Sequence, residues 1–479
     1  MVYSSLKSMY SLLIVLIVGL SGCASGGGSS GGGSLDVDAL IAEARDVEQG
    51  VSPRNTPNTD AAADHLDAGQ DANTPAEARN HYQLALTSAE AAIAEDPGNP
   101  LAHRMAALAD LSLENYQSAG EHFDRAEELR PIYQFEDVAL KEDAYITQYQ
   151  LASPLLSQGA YAEAAVHLEN ASAVYKGRPE ATITLAQIYA ALRQHDQAIE
   201  KIDEVQAFLA SEALEDIDDE TAANWRAQAE GFPLMKAQVL ADAGRFEEAA
   251  AEYRMLVAAS PNDLELQQDL GAILIQMGDT PAGLEVYTGL LGRPGLDADG
   301  LSRIGLGFYQ AEDFPRAASA LQRAADASPM DRDALEWWAR ALLAQSEFAA
   351  VPPVANRWLE LDPQSQQGYA ILAQATNESG DTQGAAAAVQ AVSSLQFSVD
   401  NLQMRRGPDR AEVSGGVTNK TMAPGSNVTL VFTFYAENGN ALGTVNHTVA
   451  LGAQGMSEVF QLTFDSASPV GGYGYTVGG

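Results

Sequence analysis

Basic residues are scarce in this chain: 27 lysines and arginines stand against 65 aspartates and glutamates in 479 residues, a formal net charge of −38. Nucleic-acid binding needs clustered Lys and Arg to neutralise phosphates, so that class is excluded. The deficit lies before residue 395, because residues 395–479 hold six acids and four bases. Cysteine is almost absent as well. Cys23 is the only one, which excludes an intramolecular disulfide and leaves packing to hold the fold. The apolar run from Leu12 to Leu20 falls far short of the ~20 residues that span a bilayer. The seven histidines, His65, His81, His103, His122, His167, His195 and His447, never stand at i, i+4 on one helix, so no metal site is expected. The sequence has no phosphate loop, no metalloprotease helix and no paired nucleophile and base, so neither an enzyme nor a cofactor is expected. The acidic run Glu215–Glu220 and the pair Asp297 and Asp299 before Gly300 do not fit a twelve-residue calcium loop. They read as solvated loop or helix N-terminus.

What is abundant is a rhythm. Ala249, Gly283, Ala317, Val351 and Ala385 follow one another at intervals of 34, as do Ala85 and Ala119, and Ala164 and Ala198. Two steps are too long, by 11 and 17 residues, which places insertions near 131–144 and 213–229 as loops or extra helical turns. Pro131, Pro261 and Pro329 each close the second helix of a unit. The first helices carry a large residue beside a small one, as in Leu185-Ala186, Leu270-Gly271 and Ile304-Gly305, where the small residue lets two helices touch.

This pattern resembles the tetratricopeptide repeat family across residues 60–394, in nine units that are in phase or nearly so. The resemblance implies an α-helical solenoid of helix hairpins, each burying its apolar face on the next. In the first unit Gly69, Asn73 and Pro75 interrupt the first helix, so residues 35–76 are expected as a cap or linker and 77–394 as the solenoid. Pro352 and Pro353 are expected to distort the second helix of the unit at Val351. The same resemblance points to a groove lined by the free faces of the first helices. Projecting that face selects Arg104, Tyr149, Gln187, Gln238, Gln268, Gln276, Tyr309, Gln310, Arg340, Gln374 and Asn377. Glutamine amides both donate and accept, which suits the backbone of an extended peptide. Trp337 and Trp338 are expected in the stacked core.

At the N-terminus, Lys7, the run from Leu12 and the sequence Leu20-Ser21-Gly22-Cys23 resemble a bacterial lipobox. That implies cleavage before Cys23 and acylation of it, with residues 1–23 as the lipoprotein signal peptide. Residues 24–34 are a Gly/Ser tether with a reach of about 18 Å. Ala24 after the cysteine resembles the signal for the outer membrane, so the expected location is the bacterial cell envelope, facing the periplasm.

Beyond Ser393 the period changes to two. Val428, Leu430, Phe432 and Phe434 alternate with Thr429, Val431, Thr433 and Tyr435, Asn438-Gly439 supplies a hairpin turn, and further strands are expected at 395–402, 411–417, 442–451, 458–464 and 473–477. Val413–Asn419 and Asn427–Gly439 resemble the FxLYD domain of bacterial envelope proteins, with Phe434 in place of its Leu and Ala436 in place of its Asp. A small all-β sandwich over 395–479 is expected. Two functions stay open: a membrane-anchored protein–protein interaction scaffold or assembly factor that holds a protein or extended peptide of basic character, and a periplasmic ligand- or glycan-binding module.

Overall fold

The computed structural model describes residues 49–214, 217–407 and 409–478; Cys23, the tether, Glu215 and Asp216 lie outside them. The chain divides into two compact units, residues 1–245 and 246–479. Among the described residues, nineteen helices of eleven residues or more over residues 57–394, with one four-residue helical turn, precede six strands. Among the described residues no helix is long and apolar enough to cross a membrane.

In the first unit the helices are α1 Pro57–Gln70, α2 Pro75–Glu95, α3 Pro100–Ser112, α4 Tyr116–Leu129, α5 Val138–Ser157, α6 Tyr161–Val174, α7 Glu180–Ala191, α8 His195–Leu209, α9 Asp219–Ala229 and α10 Phe232–Asp242. The first repeat corrects the expectation of an interrupted helix. Thr56 caps α1, with Thr59 closing a capping box. Gly69 lies inside α1, and Pro75 opens α2 behind the cap Thr74 instead of breaking a helix. Proline costs nothing at that position, where its missing N–H had no partner. The two insertions are helical: one adds a single turn, Tyr133–Glu136, ahead of the long α5, and the other adds α9, capped by Asp218.

The second unit contains α11 Phe246–Ala259, α12 Leu264–Gln276, α13 Thr280–Leu291, α14 Ala298–Gln310, α15 Phe314–Ala327, α16 Arg332–Ala344, α17 Val351–Leu361, α18 Gln366–Glu378 and α19 Thr382–Ser394. Ala85, Ala119, Ala164, Ala198, Ala249 and Ala317 are all fully buried, while Ala385, on the last helix, is half-buried. Gly305 shows why a small residue is needed, since a Cβ there would lie 2.6 Å from Leu321 Cγ. Pro352 and Pro353 do not distort α17. They sit in its first turn, behind a 3-10 turn at Phe348–Ala350.

Each hairpin turn repeats one device. Asp279 N–H donates to Leu274 O, Asp313 to Phe308 O, Glu347 to Leu342 O and Asp381 to Thr376 O, at 2.8–2.9 Å. This six-residue bond needs a left-handed residue just before its donor, and Gly278, Glu312, Ser346 and Gly380 supply it at φ 94, 60, 65 and 88°. Asp279, Asp313 and Asp381 then cap the next helix. At the opposite end of the hairpins, Asp263, Asp297, Asp331 and Ser365, again 34 apart, cap α12, α14, α16 and α18. The Asp297 carboxylate thus serves a helix N-terminus, as its sequence context implied.

The strands are β1 Phe397–Arg406, β2 Arg410–Asn419, β3 Asn427–Tyr435, β4 Ala441–Ala450, β5 Ser457–Asp465 and β6 Gly472–Gly478. They form two antiparallel sheets, β1-β2-β5 and β4-β3-β6. Val428, Leu430, Phe432 and Phe434 all face the core, where Phe434 stacks on Phe464 at 4.5 Å. Asn419 is buried as well, and its amide bonds to Met422 O and Gly452 O tie two loops together. β1 runs four residues further than its alternation suggested, because a bulge with Asn401 at φ 55° interrupts the period and pairing resumes at Gln403.

Candidate protein-interaction surface

The residues projected onto a groove all lie on first helices of the hairpins: Arg104 on α3, Tyr149 on α5, Gln187 on α7, Gln238 on α10, Gln268 and Gln276 on α12, Tyr309 and Gln310 on α14, Arg340 on α16, and Gln374 and Asn377 on α18. Gln374 and Asn377 are exposed and most of the others half-buried. Gln268 is not on an open face. It is 4% exposed, with its amide 3.4 Å from Gly300 O, so it packs between repeats. Arg104 is committed too: it holds Asp137 at 2.7 Å and Glu136 at 2.7 Å and lies over the Tyr133 ring, fastening the first insertion. Tyr149 stacks on Tyr145 with centroids 6.0 Å apart, and burial pushes its phenol up.

In the second unit three of these positions converge. Tyr309 meets Trp337 edge-on at 5.2 Å and Phe314 at 5.3 Å, while the Arg340 guanidinium covers the other part of the step, 5.0 Å from Trp337. Glu336 holds Arg340 and Arg332 together; burial pushes its carboxyl up, yet the two guanidinium groups outweigh that and keep it below its usual value. Trp337 is therefore half-buried beside groove residues, not sealed in the core as its sequence suggested. The signal that could have found it is the period itself: Asp269, Arg303 and Trp337 stand 34 apart, at equivalent places on α12, α14 and α16.

That row carries surplus negative charge. Arg303 lies 3.0 Å from Asp299 and 3.7 Å from Glu265. Burial pushes the Asp269 carboxyl up to about 6; Arg303 pulls it down, while Glu265 and Asp263 push it further up. With Arg406 also on Asp299 at 2.9 Å, two cations face four carboxylates and the patch keeps a surplus of negative charge.

A second surface lies where the sandwich meets the repeats, and no local pattern in the chain pointed to it. Arg406, at the end of β1, reaches Asp331 at 2.7 Å and Asp299 at 2.9 Å and donates to Val470 O and Gly471 O. Asp331 is 1% exposed and is the cap of α16, so the sandwich grips a helix N-terminus. Beside it Arg332 binds Asp362 at 2.8 Å, with side chains 5% and 0% exposed. Tyr475 donates to Asp362 at 2.7 Å, Tyr473 to Asp333 at 3.2 Å, and Ser328 to Gly471 O at 2.8 Å. Burial pushes the Asp362 carboxyl up against the pull of Arg332, and it holds both tyrosine hydroxyls protonated. Gly472 permits the approach, since a Cβ there would lie 1.9 Å from Met330 O. The charged and hydroxyl groups named here are all partnered, as a buried network requires, whereas the buried indole N–H of Trp358 beneath Arg332 has no hydrogen-bond partner.

Tetratricopeptide repeat models match residues 155–216 and residues 74–131, 209–264, 234–298 and 302–366, together more than half of the chain. Among solved structures, the C-terminal part of a tetratricopeptide repeat-containing protein from Cytophaga hutchinsonii is 18% identical, with a TM-score of 0.40 over 52% of this chain and 95% of that one. MamA MSR-1 is 20% identical, with a TM-score of 0.31 over 34% of this chain and 94% of that one. MamA AMB-1 is 20% identical, with a TM-score of 0.30 over 33% and 95%. No curated protein matches the sequence.

Proposed function

Because this chain belongs to the tetratricopeptide repeat family, we propose that it is a membrane-anchored scaffold or assembly factor of the bacterial cell envelope, binding a basic protein or extended peptide along its first helices. The observation that carries this reading is the row Asp269, Arg303 and Trp337, with Tyr309 and Arg340 beside it. Aromatic and arginine side chains at the centre of a contact are the usual anchors of binding energy, and the acidic end of the row selects for positive charge. Gln238, Gln276, Gln310, Gln374 and Asn377 supply amides to a peptide backbone. Cys23 carries the lipid in this reading and the Gly/Ser tether keeps the repeats close to the membrane.

The test is capture of partners from solubilised envelopes with the whole chain at low and high salt, identified by mass spectrometry. Tyr309→Ala with Trp337→Ala is expected to lose the partner while the circular dichroism stays unchanged, and high salt to release it. Unchanged capture by the double variant would place the contact elsewhere. For the anchor, Cys23→Ser is expected to move the chain from the membrane pellet to the supernatant, and continued sedimentation would overturn it.

A further inference from the structure

We infer that the cleft between α11 and α13 is a socket for an arginine side chain, brought by the basic partner proposed above. The second helices of this unit end alike. Val257, Leu291 and Ala325 stand 34 apart in the last turns of α11, α13 and α15. Their carbonyls have no backbone donor: the residue four further on is Pro261 or Pro329, which has no N–H, or Gly295, already beyond the helix. At two of the three the next second helix supplies the donor. Arg323 on α15 donates to Leu291 O at 3.2 Å, and Arg357 on α17 donates to Ala325 O at 3.3 Å. Gly289 on α13 holds the equivalent place, 34 residues before Arg323, and has no side chain to give. Val257 O therefore receives no hydrogen bond from any described residue.

The space that this arginine would fill is a cleft of about 310 Å³, at the lower end of the sizes that hold small ligands. Gly289 lines it, and a Cβ there would meet nothing within 4 Å. Val257, Leu270, Val286 and Leu290 give it apolar walls, which suit the methylene stem of an arginine. Glu285, exposed and without an ion pair among the described residues, adds a carboxylate, and the end of α11 adds the negative pole of a helix dipole. Arg293 also lines the cleft, but its guanidinium donates to no described residue, so the chain does not fill the place itself. A guanidinium always carries its charge, presents five donors in a plane and is weakly hydrated, whereas an ammonium holds its water more strongly. The two equivalent carbonyls are served by guanidinium groups, so arginine is the side chain that the site selects. The socket belongs to the second helices and is separate from the row of Tyr309 and Trp337 on the first helices.

One test fills the socket from within. By thermal denaturation of the full chain in detergent, Gly289→Arg is expected to raise the unfolding midpoint of the second unit by about 2–4 °C above Gly289→Ala and Gly289→Met, which are helix formers of similar strength without the guanidinium. The other test fills it from outside. Saturation-transfer NMR with N-acetylarginine amide is expected to show transfer from the chain to the side-chain methylenes, and less transfer to the lysine analogue. Gly289→Arg should abolish that transfer and Gly289→Ala should keep it. A midpoint for Gly289→Arg no higher than for Gly289→Met, or transfer that survives Gly289→Arg, would overturn the socket, and no transfer with the wild type would overturn its occupant. The occupant rests on the reading of a basic partner, but neither measurement uses that partner. A failed capture would leave the socket standing, and a failed socket would leave the row of Tyr309 and Trp337 standing.

Discussion

The two units attach an irregular segment to a regular stack with the same chemistry, but the second unit seals its carboxylates more completely. In the first unit the insertion after α4 is fastened by Arg104 to Asp137, Lys141 to Glu127 and Arg178 to Glu142. Here the carboxylates Asp137, Glu127 and Glu142 are 6%, 20% and 13% exposed, beside cations that are 22%, 9% and 23% exposed. In the second unit the sandwich is fastened by Arg406 to Asp331 and by Tyr475 to Asp362, where the carboxylates are 1% and 0% exposed and Arg406 itself is 25% exposed. A chain with few basic residues spends its arginines at both departures from the 34-residue period. The difference in burial makes the first attachment replaceable and the second an all-or-none joint. The sandwich is therefore a fixed part of the second unit, and deleting it would take Arg406 from Asp331 and the tyrosine hydroxyls from Asp362 and Asp333.

The largest effect that sharpens this comparison is the loss of one guanidinium at each site. Arg406→Met leaves the buried Asp331 carboxylate without its cation and is expected to destabilise the second unit by about 3–5 kcal/mol. Arg104→Met leaves Asp137 without its cation at a less sealed site and should cost less, about 1–3 kcal/mol. Urea denaturation followed by hydrogen exchange in each unit measures both. Similar losses at the two sites would erase the distinction. Next comes Gly472→Ala, whose Cβ clashes with Met330 O. A backbone that must shift costs about 1–3 kcal/mol, and proteolysis of the freed sandwich is the readout.

The seam also marks where the sequence stopped being legible. The helical repeats, the six strands and the hairpin at Asn438-Gly439 follow from local period and turn chemistry, which one stretch of chain contains whole. Arg406 and Asp331 are 75 residues apart and no period links them. α1 was missed because Gly69 and Pro75 look like breakers, yet one lies inside a helix and the other begins the next. Of the projected groove, Gln268 fell out because the projection fixes a face and not what the adjacent repeat covers it with. The contact of His103 with His122 escaped because it joins the two helices of one hairpin, residues 19 apart, where no single-helix spacing applies.

A smaller effect separates the acidic row from the ion-paired seam by its pH dependence. The Asp269 carboxyl is raised to about 6 in the folded chain, above its ordinary value. A raised acid favours the fold while it is protonated, so this stabilisation is present at low pH and lost as pH rises through about 6. Asp269→Asn should therefore stabilise the second unit above pH 6, by about 1–2 kcal/mol after allowance for solvent at a half-buried site, with the gain vanishing near pH 4. A gain independent of pH would mean that charge at Asp269 is not the cause.

The smallest expected effects belong where the period is intact. The hairpin turns demand a left-handed residue, and the chain fills that place with glycine at Gly278 and Gly380 but with side chains at Glu312 and Ser346. A Cβ at Gly278 would meet nothing within 4 Å, so Gly278→Ala isolates the backbone cost, about 1 kcal/mol. Ser346→Gly relieves the same strain but frees the unfolded chain, leaving a net gain of a few tenths of a kcal/mol to about 1. Denaturation midpoints of the second unit should move in opposite directions for the two variants. If they move together, the left-handed backbone does not set the stability of these turns, because glycine relieves at position 346 the strain that alanine adds at 278.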